Sequence, residues 1–141
     1  LLGAAELSDI GEQFVLQGMQ RQLPSGVFPE KGGFDASFQS EGLVYLLRYI
    51  DHVATDASRA AATRAASTGM AWLNSRVSAQ GVVATASNTR TAAGKERDRT
   101  GQPRRISAVA VSRSFGLAHF VLREPKYEKS ARLIATVRQP S

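Results

Sequence analysis

Phe38, Glu41, Tyr45, Arg48, Tyr49 and His52 recur at spacings of three, four and seven residues. At ~100° per residue of an α-helix, with Tyr45 at zero, Phe38 falls near +20°, Tyr49 near +40°, His52 near −20°, Glu41 near −40° and Arg48 near −60°. One helix edge thus carries two phenols, an imidazole and a carboxylate, groups that stack on sugar rings and hydrogen-bond to their hydroxyls. The same edge could instead pack against a neighbouring helix with its hydroxyls satisfied there, since buried tyrosine is common. Just upstream, Glu30 and Asp35 could form a carboxylate pair for acid-base work or for calcium, a role that depends on converging geometry. His52 and His119 are the only histidines and neither belongs to a ligand set with zinc spacing, so no metal is expected. His119, between Phe115 and Leu122, reads as a core or boundary residue. Gly32, Gly33, Gly94 and Gly101 lack the spacing of a phosphate-cradling loop, and no cofactor is expected.

The elements that would position these residues follow from apolar period and capping. Leu7, Ile10, Phe14 and Gly18 recur at helical spacing and give the apolar face of an amphipathic helix over residues 6–22, ending before Pro24. "LPSGVFPEKGG" is a loop, after which Asp35 or Ser37 caps a second helix, 36–53, whose Leu43, Leu46, Leu47, Ile50 and Val53 form a core stripe. Asp56 is placed to cap a third helix, 57–77, with Ala62, Ala66, Met70, Leu73 and Val77 buried. Residues 78–104 have no helical period, and "GVVATA" has the β-branched content of a short strand, so a short β-hairpin or long ordered loop is expected near 80–104. Two more helices, 106–122 and 126–138, complete an all-α chain, with Pro125 opening the last and Tyr127, Ala131, Ile134 and Val137 as its stripe. "RQLPSGV" (21–27) and "RVSAQGV" (76–82) share Arg, Gly and Val at an offset of 55, which implies a repeated helix, loop and returning helix.

At 141 residues, with 43% hydrophobic and 21% charged residues, the chain is expected to be one folded helical domain. No apolar run reaches the ~20 residues that span a bilayer, so membrane insertion is not expected. The absence of cysteine excludes disulfides and thiolate metal sites. The first residue is Leu1, which fits a processed form or a fragment. The net charge is +6, and Arg90, Lys95, Arg97, Arg99, Arg104 and Arg105 against Glu96 and Asp98 account for six minus two, or +4, within one loop. Such a concentration of positive charge attracts polyanions, or else serves only to keep a solvated loop soluble. With no aromatic residue among its cations on which bases could stack, the loop argues against nucleic acid as the partner.

The stretch "GVFPEKGGFDASFQSEGLVYLLRYI", together with "NTRT" at 88–91, resembles the repeats of α/α-toroid polysaccharide lyases and related secreted carbohydrate-active proteins, in which a D-x-S-[YF]-Q turn enters an inner helix. The resemblance covers the loop and helix pairs, about half the chain. It implies antiparallel helical hairpins of α/α-toroid type, complete or partial, and a secreted or periplasmic protein. It also implies a cleft for an acidic polysaccharide formed by the loops at 24–37 and 82–105. In this reading Asn88 and Arg90 neutralise the uronate carboxylate, with Glu30, Asp35, Gln39 and Arg104 as further binding residues. Tyr45 or Tyr49, assisted by His52, takes the proton for β-elimination, and preorganised donors stabilise the enolate. The alternative is a non-catalytic helical binding or self-assembly module with a polyanion-binding basic loop, self-association being expected where too few repeats leave an end uncovered.

Overall fold

The computed structural model describes residues 3–139, with Ala4 described by its backbone only, and Leu1 lies outside that range. The described residues form five α-helices and no strand: α1 Ala4–Gln20, α2 Ala36–His52, α3 Asp56–Ser75, α4 Ala108–Val121 and α5 Lys126–Thr136. Each expected helix is present, with ends within two residues of those read from the apolar period. The segment at 80–104 is an ordered loop rather than a hairpin, since its only ladder contacts are isolated bridges such as Val77 to Val83 and Arg97 to Pro103.

α2 packs on α3 and α4, and α4 packs on α5, with α1 attached mainly to α3. Leu43 and Leu47 of α2, Met70 and Leu73 of α3, Val111 and Phe115 of α4 and Ile134 of α5 are fully buried in one core cluster. Each such side chain contributes about 1.5–3 kcal/mol of hydrophobic stabilisation. The small residues of α3 permit close approach: a Cβ built on Gly69 would stand 2.8 Å from Leu43 Cδ2. His119 is half-buried, its Nδ1 3.4 Å from the Glu124 carbonyl oxygen, as a boundary residue should be.

Three expectations are corrected. The packed stripe of α1 is Val15 and Met19, with Glu12 beside it, whereas Leu7, Ile10 and Phe14 are 57%, 41% and 70% exposed. Helical period alone shows which side chains share a face; it does not show which face finds a neighbour. The cap of α3 is Thr55, whose side chain accepts from Ser58 N while the Ser58 hydroxyl accepts from Thr55 N, a reciprocal box that leaves Asp56 as the first helical residue. Val53 is the exposed C-cap of α2 rather than a core residue, because the chain turns there toward α3.

The repeated heptapeptides adopt one backbone form. In the first, Leu23 N donates to Val27 O and Gly26 N to Leu23 O; in the second, Ser78 N donates to Val82 O and Gly81 N to Ser78 O, each pair offset by 55. Both glycines have positive φ, +91° and +83°. A Cβ on Gly26 would meet Thr68 O at 2.3 Å, and one on Gly81 would meet the Leu133 carbonyl carbon at 2.7 Å. Glycine is therefore required twice, by dihedral angle and by close approach. Each turn is also held by a glutamine amide. Gln39 donates to Gly26 O (2.9 Å) and accepts from Phe28 N (2.9 Å); Gln139 donates to Gly81 O (3.0 Å) and accepts from Val83 N (2.9 Å).

Candidate functional site

The two loops meet at the N-terminus of α2, and the polar residues of "DASFQ" join them. Asp35 is 1% exposed; its Oδ1 caps α2 by accepting from Ser37 N (3.0 Å), and its Oδ2 accepts from Arg90 N (3.2 Å), Thr91 N (2.8 Å) and the Thr91 hydroxyl (3.0 Å). Ser37 Oγ accepts from Ser107 N at 2.9 Å, which places the N-termini of α2 and α4 side by side. Asn88 is fully buried, donating from Nδ2 to Thr91 Oγ1 at 2.7 Å, while its Oδ1 has no protein partner. Asp35, Gln39 and Asn88, expected as ligand-binding residues, thus lie beneath the surface and connect the loops to the helix.

Above this knot sits a charged cluster. The Arg90 guanidinium lies over the Phe38 ring, 4.0 Å from its centroid, with Nε 2.8 Å from Glu96 Oε2 and Nη1 3.2 Å from Glu30 Oε1. Glu96 also pairs with Lys31 and, at 3.4 Å, with Arg104, which lies 5.5 Å from the same ring. Hydrogen bonds from Lys31 and then Arg90 hold the Glu96 carboxyl at about 2, well below its usual range. The hydrogen bond to Glu96 raises Arg90 further above its already high value. Lys31, Arg90 and Arg104 against Glu30 and Glu96 leave a local charge of three minus two, or +1. Arg90 is therefore already matched by carboxylates. Its aromatic platform, Phe38, was visible in the sequence only as part of a helix face.

The expected catalytic residues do not converge. Tyr49 is 8% exposed, its hydroxyl 2.7 Å from Ser58 Oγ and donating to Glu12 Oε1 at 3.0 Å, so it joins α1, α2 and α3 from within. Burial pushes its phenol up, and hydrogen bonds from Ser58, Thr55 and Tyr49 pull the Glu12 carboxyl down. His52 is exposed and 3.3 Å from Asp51. It lies about 21 Å along α2 from Phe38 and the Arg90 cluster, at ~1.5 Å per residue. A general base must reach the proton it removes, which His52 cannot do for a sugar held at Arg90. Tyr45 is 71% exposed, about 10 Å along the axis from Phe38 on the same basis. It lines a cavity of about 330 Å³ with Glu41, Val44, Arg48, Ser107 and Arg113. Arg113, on α4, had no place in the sequence reading because nothing local to its helix brings it beside α2.

In the basic loop, Asp98 accepts from the Thr100 hydroxyl, Thr100 N and Gln102 N, and its carboxyl is lowered chiefly by that hydroxyl. Lys95, Arg97, Arg99 and Arg105 are exposed and have no carboxylate within ion-pair distance among the described residues. No group of His, Asp and Glu among the described residues could hold a metal ion, and no helix is long and apolar enough to cross a membrane. Comparison with protein-family models, with curated proteins and with solved structures gives no match.

Proposed function

We propose that the chain binds an acidic polysaccharide, without cleaving it, along the side where the basic loop meets the α2 and α4 face. The carrying observation is the set of four loop cations, Lys95, Arg97, Arg99 and Arg105, that stand exposed with no carboxylate beside them. Such unmatched charges focus a field that concentrates polyanions. Tyr45 offers an exposed ring for a sugar, in a cavity whose rim carries Arg48 and Arg113 for carboxylates or sulfates. The parallel placement of α2 and α4 and the two equivalent glycine turns support hairpins of α/α-toroid type as the framework. The buried Tyr49, the buried Asn88 and the neutralised Arg90 favour binding over β-elimination, which would need a base beside the carboxylate partner.

The test is retention on uronate and heparin-like polymers over a salt series. Arg97→Gln, Arg99→Gln and Arg105→Gln together should lower the eluting salt and flatten the salt dependence, because fewer counterions are displaced. Tyr45→Ala should weaken binding by about tenfold while stability changes by no more than about 0.5 kcal/mol. Retention unaffected by the triple variant would return the loop to a role in solubility. Release of unsaturated, ultraviolet-absorbing products from a uronate polymer would replace binding with lyase activity.

A further inference from the structure

α1 carries the one long apolar stripe among the described residues that the fold leaves uncovered. Leu7, Ile10 and Phe14 are 57%, 41% and 70% exposed, and Gly11 and Gly18 share their face with nothing within 4 Å of a Cβ built on either. The internal repeat shows what such a stripe does elsewhere. The offset of 55 places Leu7, Ile10 and Phe14 on Ala62, Ala65 and Gly69 of α3, all buried, with Gly69 against Leu43 and Gln39 of α2. Gly26 meets Thr68 and Gly81 meets Leu133, so α3 maps on α5 at an offset of 133 minus 68, or 65. That places Ala62 and Gly69 on Tyr127 and Ile134, which are buried against α4. In both later copies the position is a helix seat, and only in α1 is it open.

The seat has a hole beside its knobs. A groove of about 370 Å³ between α1 and α2 is lined by Val15, Gly18, Met19, Phe28, Gly42 and Leu46, and Gly42, like Gly18, has nothing within 4 Å of a built Cβ. Helix-interior glycine is unfavourable and nothing inside the chain requires it here, so the room it leaves suits something from outside. Knob and hole lie on the same patch, which is the condition for an isologous pair. In an antiparallel pairing of two α1 helices, one register brings Leu7 opposite Gly18, Ile10 opposite Val15 and Gly11 opposite Phe14, each pair summing to 25. Leu7 and Phe14 then each face glycine. The same arrangement brings Arg21, exposed at the C-terminal end and lining the groove, toward the first turn of the other helix with its Glu6.

We propose that two copies of this chain associate through antiparallel contact of their α1 helices, with Phe14 of each lodged against Gly11 of the other and Leu7 of each against Gly18 at the glycine-floored groove of the other. The cations of the basic loop are not part of the contact, while Tyr45 borders both the groove and the cavity assigned to a sugar, so the association is read from the mass of the chain and not from glycan binding. Sedimentation velocity of the intact chain should show a dimer of the 15.1 kDa chain. Phe14→Glu should raise the dissociation constant more than about tenfold, as loss of a central aromatic anchor does. Because Phe14 is 70% exposed in the monomer, the helical circular dichroism and melting temperature of unassociated chains should be unchanged. The chain has no cysteine, so Gly11→Cys introduces a single thiol that should cross-link to its mate under mild oxidation, whereas Ser67→Cys on the exposed face of α3 should not. A chain that stays monomeric up to millimolar concentration overturns the proposal. So does a Phe14→Glu variant that dimerises as before, or a Gly11→Cys variant that cross-links no more than Ser67→Cys.

Discussion

Asp35 illustrates how one side chain can serve two segments that are far apart in sequence. One carboxylate oxygen caps α2 and the other accepts three hydrogen bonds from Arg90 and Thr91, all at 1% exposure. Asp35→Ala should cost on the order of 3–5 kcal/mol, because it strands buried donors as well as removing a cap. Thermal melting checks the cost, and protease cleavage within 88–107 should accelerate ahead of global unfolding. Glu96 makes a different prediction, about pH. Its carboxyl is depressed to about 2 from an ordinary 4.5 by Lys31 and Arg90, so the folded state favours the ionised form. That contribution is complete above 4.5 and is lost as pH falls toward about 2. Urea midpoints should therefore decline more steeply with acid in the unaltered chain than in Glu96→Gln across that window. Parallel declines would assign the acid sensitivity to other carboxylates.

Among the elements, glycine separates turns that need it from helices that do not. Gly26→Ala must accept φ of +91° and a Cβ 2.3 Å from Thr68 O, so it should destabilise by more than about 2 kcal/mol. Gly116→Ala in α4 meets nothing within 4 Å and should stabilise by up to about 1 kcal/mol, the helix-propensity difference. Denaturant midpoints of the two variants should move in opposite directions. The helices themselves were legible because apolar period and caps are local, as Asp35 at the start of α2 shows. The turn repeat was legible as well, since Gly26 and Gly81 impose a local dihedral requirement. The status of Tyr49 was not, because its burial depends on Glu12 of α1 and Ser58 of α3 arriving from other parts of the chain. Nor could Asn88 and Arg90 be assigned from "NTRT": one lies under the loop and the other is paired over Phe38, a division made by the fold of the whole segment.

At the scale of the molecule, charge and packing are segregated. The +4 of the basic segment sits on a loop tied to α2 at Asp35 and, through Ser107, at Ser37, while the apolar surplus lies on α1. A field-bearing surface and an associating surface can therefore operate together, and pairing through α1 would present two basic loops to one polymer, raising avidity without any new contact. The two glutamine amides that hold the turns differ in one respect. Gln39 is embedded in α2, but Gln139 reaches Gly81 and Val83 from just beyond α5, directly after Arg138. Hydrolysis of the single peptide bond following Arg138 would release the second latch and leave the first untouched. The entrance to the cationic segment would then be untied at one end only, which would relax the basic loop while its own backbone stays intact.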